Sequence, residues 1–182
     1  MSTLDRQTRA EIGRSSNRRG KEAEQAVARW LREHGWPDAQ RMVRTGWKVG
    51  DRRSRDHGDI DNTPRLAWQV KISPEDFTDS RVLVVLAATA DQAVASGADY
   101  GIAIERRVGK TDPGRWWAWI TAGDLYALAE TARNPFVLAV PQPVLEMPVR
   151  LLLRDLVPLL HAAGYGIPAT NPTTNEEGPA AS

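Results

Sequence analysis

The chain has 182 residues, with 24 Lys+Arg against 23 Asp+Glu, no cysteine and 41% hydrophobic residues, which suffices for one domain with a buried core. The lack of cysteine excludes a disulfide scaffold, a thiolate metal site and a cysteine nucleophile, and three histidines leave little room for zinc chemistry. The near-neutral total hides an asymmetry: residues 1–75 carry 16 basic and 11 acidic side chains, residues 76–182 carry 8 and 12, and 20 of the 24 cations are arginine, the side chain suited to bidentate phosphate contacts. The start, MSTLDRQTRAEIGRSSNRRG, is polar and basic, with no apolar stretch of signal-peptide or membrane-spanning length after it. A cytoplasmic protein with no membrane association is expected.

In chain order, residues 1–16 read as a flexible basic arm. From about 17 to 35 the apolar residues Ala23, Ala26, Val27, Trp30 and Leu31 recur at helical spacing, with Ser16 or Asn17 as cap and Gly35 then Pro37 as stop. A strand over 39–45 leads into a basic loop through His57, punctuated by Gly46, Gly50 and Gly58. Residues 58–62 and 65–72 follow as strands separated by Thr63 and Pro64. In the second, Leu66, Trp68, Val70 and Ile72 alternate with Ala67, Gln69 and Lys71, the period of a half-buried strand.

Residues 81–97 hold a β-branched run at Val82, Val84 and Val85, but length, alanine content and Gly97 favour a helix capped by Asp79 or Ser80. Strands over 99–105 and 115–120 form a long hairpin with a basic tip, VGKTDPG. A helix over 121–131, further strands or extended segments at 136–140 and 149–153 and a short helix over 156–163 complete the order, with 166–182 as a disordered tail. Helix, three strands, helix, strand is an α/β sheet with mixed strand directions. Residues 17–133 form its core and 134–165 an extension packed on it.

Glu24 falls at the edge of the first helix's apolar face, pointed toward the sheet. Gln69 and Lys71 emerge from one face of their strand, and Asp59 stands beside Gln69 if the two strands pair across Thr63 and Pro64. A Glu, Asp, Gln and Lys cluster suits a hydrated Mg²⁺ taking one or two carboxylates, with Lys71 steadying water or phosphate. Taken singly, each has a plainer reading: Glu24 as an edge residue paired with an arginine, Lys71 as a snorkelling strand lysine. His57 reads as a solvated loop residue, and His34 and His161 as partners of helix C-termini.

The segments RGKEAEQAVARWLREHGWPDAQR, HGDIDN and WQVK, in that order, with SGADYGIAIERRVGKTDPGRWWAWIT further on, resemble the Holliday junction resolvases of the PD-(D/E)XK nuclease superfamily, particularly those of actinobacterial phages. The resemblance covers about residues 18–130. It implies a restriction-endonuclease-like core with the order α-β-β-β-α-β, flanking helices and a C-terminal extension. It also implies a Mg²⁺-dependent endonuclease (Mn²⁺ substituting) that acts on four-way branched DNA as a homodimer. By the same resemblance Glu24, Asp59, Gln69 and Lys71 are the catalytic set, with Asp59, Gln69, Glu24 and the main-chain carbonyl of Val70 on the metal. Gln69 departs from the pattern, since glutamate is usual there and one negative charge is lost.

The basic clusters are then expected on DNA phosphates: Arg14, Arg18 and Arg19 on the arm, Lys48, Arg52, Arg53 and Arg55 in the loop, and Arg106, Arg107 and Lys110 at the hairpin tip. Their other reading is solvated surface. Trp47 either stacks on a base or covers a sheet edge. The same core motif also fits a sequence-specific or repair endonuclease, or a junction-binding protein whose nuclease site has decayed.

Overall fold

The structure, a computed structural model, describes residues 3–42, 58–131 and 142–168. Helix α1 spans Thr3–Glu33, 31 residues, so the expected break at residue 16 and the cap at Ser16 or Asn17 are not there. The segment that looked like a separate arm holds one glycine, Gly13, and no proline, and its Leu4, Arg6, Gln7, Arg9, Ala10, Glu11 and Arg14 are good helix formers that need no apolar stripe. An i,i+4 pair, Arg18–Glu22 at 3.6 Å, lies just inside the expected start. Among the described side chains, α1 enters the core through Ala23, Val27, Ala28, Trp30 and Leu31. Gly35, at φ 106°, then turns the chain.

The strands are β1 Gln40–Arg41, β2 Ile60–Asp61, β3 Leu66–Ile72, β4 Tyr100–Arg106, β5 Trp117–Thr121 and β6 Pro148–Leu152. Among the described residues they form one six-stranded sheet in sequence order. Every neighbouring pair is antiparallel except β3 and β4, which are parallel and joined by helix α2, Asp79–Ser96. The sheet is therefore mixed, as the element order requires. Of the expected strand over 39–45, β1 is the part within the described residues. The basic loop from 46 to His57 and the segment 136–140 lie outside them.

Helix α2 ends at Gly97 in the left-handed conformation, φ 72°, as expected. Its N-cap is Thr78, with no side-chain capping bond, so the capping role expected of Asp79 or Ser80 is not filled. Strands β4 and β5 form the expected hairpin, and helix α3, Ala122–Thr131, follows directly.

The sheet separates two layers. Leu66, Trp68, Val70, Ile102, Ile104, Ala118 and Ile120 face α1 and the last helix, Leu153–Ala162. On the opposite face Val82, Val85 and Leu86 of α2 pack on Ala103, with Trp119 beside them. A buried side chain of this size contributes roughly 1.5–3 kcal/mol, so the α1 face holds most of the apolar stabilisation.

The C-terminal region is more than an addition to this core. Strand β6 pairs with β5 along five positions, and Leu153, Leu156, Val157 and Leu160 belong to the main core cluster. Tyr165 donates to Asp99 Oδ2 at 2.6 Å, and Asp99 is also ion-paired with Arg65. Burial and the Asp99 carboxylate push the Tyr165 hydroxyl well above the usual tyrosine range. The Ile167 amide donates to Gly35 O at 2.7 Å, so the start of the expected tail at 166 is still tied to the fold. His161 links the same corner, its two ring nitrogens 2.8 Å from Tyr165 O and 3.0 Å from His34 O.

Candidate active site

Strand β2 covers only part of β3, and the uncovered edge is built by Gly58 and Asp59. Gly58 has φ 92°, and a Cβ there would lie 2.5 Å from Trp68 O, so glycine alone lets the backbone pass this close. The Asp59 amide can then donate to Trp68 O at 2.7 Å. Its carboxylate Oδ2 accepts from the Val70 amide at 2.7 Å, taking the place of a strand partner. A strand residue sends its N–H and C=O toward the same side, so the Val70 carbonyl leaves β3 at the edge where Asp59 sits. Val70 is flanked by Gln69 and Lys71, and Lys71 is half-buried.

Glu24 reaches this corner from α1. Its Oε2 accepts from Arg41 Nε at 2.6 Å, with the two side chains only 20% and 22% exposed. Arg41 stands opposite Ile60 in the β1–β2 register, and Met42 N–H donates to Asp59 O at 2.9 Å. The plainer reading of Glu24, an edge carboxylate paired with an arginine, is what the structure contains.

Gln69 is placed differently from expectation. It is 6% exposed, and its Oε1 accepts from Thr89 Oγ1 of α2 at 3.1 Å. The four residues therefore do not share one surface. Glu24 belongs to the layer over one face, Gln69 and Lys71 emerge on the α2 face, and Asp59 lies at the rim between them. The cause is the crossover: α2 lies over the face that carries Gln69, and Gly101 beside it has no side chain to hold Thr89 away. The Asp59 carboxylate and the Val70 carbonyl could serve as oxygen donors to a hard cation, while Glu24 is paired with Arg41 of the neighbouring strand β1. Gln69 stands apart from these donors, its amide oxygen bonded to Thr89 in the helix–sheet interface. Among the described residues no group of three or more His, Cys, Asp or Glu side chains could hold a metal.

Two residues at this corner escaped the sequence. Arg41 directs the Glu24 carboxylate. Glu105 is 1% exposed and stands opposite Lys71 in the parallel β3–β4 register. Its oxygens accept from Phe77 N–H at 2.7 Å and from Trp119 Nε1 at 2.8 Å, so a buried carboxylate is satisfied by neutral donors. The alternation of Gly101, Ala103 and Glu105 is the signal that could have marked it as facing α2.

Of the expected DNA contacts, Arg14, Arg18 and Arg19 are exposed on α1. Lys48, Arg52, Arg53 and Arg55 lie outside the described residues, as do Trp47 and His57. The hairpin tip splits: Arg106 sits over the Trp116 ring at 5.5 Å and Arg107 over the Trp117 ring at 4.0 Å, on opposite faces. Lys110 offers its carbonyl to Trp116 Nε1 at 2.8 Å. His34 Nδ1 lies 2.7 Å from Trp30 O in the last turn of α1, the helix-end role expected of it.

These features define a class no finer than an α/β protein with a mixed sheet between helical layers. Among the described residues no helix is long and apolar enough to cross a membrane. The chain matches no family model, no curated protein and no solved structure.

Proposed function

We propose that the chain is a Mg²⁺-dependent, structure-selective DNA endonuclease with a restriction-endonuclease-like core, a Holliday junction resolvase that works as a homodimer in the cytoplasm. The observation that carries the reading is the Asp59 carboxylate hydrogen-bonded at 2.7 Å to Val70 N–H. It joins the GDI and QVK segments into one corner, with Lys71 next along the strand. A carboxylate, a strand carbonyl and an adjacent lysine are the parts that metal-assisted phosphodiester hydrolysis uses.

Asp59 and the Val70 carbonyl would hold the cation, with Glu24 as a further anionic group if Arg41 yields it. When bound, Mg²⁺ supplies charge stabilisation at the phosphate and a more acidic water. Lys71 supplies a fixed ammonium that orients the attacking water and offsets charge building on the phosphate oxygens. Arg41 holds Glu24 at the corner, and Glu105 secures the Phe77 segment beside Lys71.

The test is to compare Asp59→Ala and Lys71→Ala with wild type on a labelled four-way junction. Both variants should bind the junction within a few-fold of wild type and lose cleavage. Retained cleavage in either variant overturns the site. A second reading, a junction-binding protein without nuclease activity, draws on the burial of Gln69 and the pairing of Glu24 with Arg41. Tight binding without nicking by wild type in either Mg²⁺ or Mn²⁺ would establish it.

A further inference from the structure

On the sheet face that carries Lys71, the guanidinium of Arg107 lies 4.0 Å and that of Arg150 4.2 Å from the Trp117 ring centroid, and Arg150 is also 5.4 Å from Trp119. The register explains the convergence. Glu105 pairs with Trp117 and Ala103 with Trp119 across β4–β5, while Trp119 pairs with Arg150 across β5–β6. All of them point to one side, and Lys71 pairs with Glu105 in the same row. With strands about 4.8 Å apart, Trp117 begins two strands, roughly 10 Å, from Lys71.

Two like charges over one ring repel each other, and neither arginine forms an ion pair among the described residues. Arg107 spends one N–H on Arg115 O at 3.3 Å, and Arg150 is exposed. Glu105, on the same face, is bonded to Phe77 N–H and Trp119 Nε1 and forms no ion pair with either arginine. Contact with one indole positions both guanidiniums, and beyond the Arg107 bond to Arg115 O no hydrogen bond among the described residues takes up their donors. An unneutralised, pre-oriented pair of this kind matches a polyanion with regularly spaced oxygens.

We infer that the Arg107–Trp117–Arg150 stack is a docking surface for the DNA backbone, contacting two phosphates of a strand held on the Lys71 side of the sheet. Arg150 is the new member, lying on β6 outside every basic cluster visible in the sequence. The inference rests on the nuclease reading only for the identity of the polyanion.

The experiment measures binding of a four-way DNA junction, without metal and over a range of salt, for wild type, the pair Arg107→Gln/Arg150→Gln and the pair Arg107→Lys/Arg150→Lys. The glutamine pair should bind about tenfold more weakly near 0.1 M salt, and its log K against log salt slope should fall by about 1.8, the value for two phosphate contacts. The lysine pair keeps the charges and should keep the slope within about 0.5 of wild type. An unchanged slope in the glutamine pair, an equal loss in both pairs or no DNA binding by wild type overturns the surface. Cleavage in Mg²⁺ is scored separately. A lowered slope with a wild type that never cleaves upholds the surface and sinks the nuclease reading. An unchanged slope with normal cleavage does the reverse.

Discussion

Replacing Gln69 by glutamate restores the acid usual in the resembled family and tests where the residue points. The new carboxyl would sit where Gln69 is 6% exposed, against Thr89, which is fully buried. Thr89 has one hydroxyl proton, and Val85 O at 2.7 Å already competes for it. A fully buried carboxyl has its pKa raised by roughly 3–5 units, so at about 1.4 kcal/mol per unit keeping it charged costs about 4–7 kcal/mol. Lys71, two residues along the same strand face, offsets about 2 kcal/mol at ~7 Å and an effective dielectric of ~20.

Staying protonated at pH 7 costs at most about 3.7 kcal/mol against an unfolded glutamate of pKa ~4.3, which caps the loss. Gln69→Glu should therefore destabilise the protein by about 2–4 kcal/mol at pH 7. Because the folded pKa is raised, the deficit is present above the unfolded pKa and fades as pH falls below it. Urea denaturation at pH 7 and pH 4, compared with wild type, reads this directly. The variant should also show no gain in Mg²⁺-dependent cleavage. Undiminished stability at pH 7, or faster cleavage, would mean that the side chain faces the metal corner instead of Thr89.

Burial raises the Asp124 carboxyl pKa, against the opposing bonds from Thr121. The protonated form is thus favoured on folding, and the charged form costs stability above the unfolded pKa. Asp124→Asn should raise Tm at pH 7, with the gain closing as pH falls toward 4. A gain that stays constant from pH 7 to 4 contradicts that origin. Gly58→Ala forces a side chain into left-handed backbone against Trp68 O and should cost about 2 kcal/mol or more. Cleavage should fall with it, because Asp59 loses its anchor, and the two effects are measured by denaturation and junction nicking.

What was legible follows from the range of the interactions. Alternation in 66–72 located β3, and Gly97 ended α2, because both signals are local. The Asp59–Val70 contact was approachable because a few residues around Thr63 and Pro64 separate the strands, and Asn62 and Arg65 take positive φ to close that turn. The stretch from Thr3 to Ser16 was misread because a helical sequence with no apolar stripe has no periodicity to detect. Alternation assigned Gln69 and Lys71 to one face but could not show that α2 covers the first and leaves the second half open. The Glu24–Arg41 pair, the Glu105–Trp119 bond and the Arg107–Trp117–Arg150 cluster depend on the exact register between strands and on helix placement, which alternation alone does not specify.

The central claim is tested most directly by incubating the wild-type protein with an end-labelled four-way junction and a linear duplex of matched sequence, with and without Mg²⁺. The account predicts Mg²⁺-dependent nicks in two opposed strands of the junction, with the linear duplex left intact. Equal cutting of both substrates would point to an endonuclease of another selectivity, and no cutting of either in Mg²⁺ or Mn²⁺ would contradict the nuclease assignment.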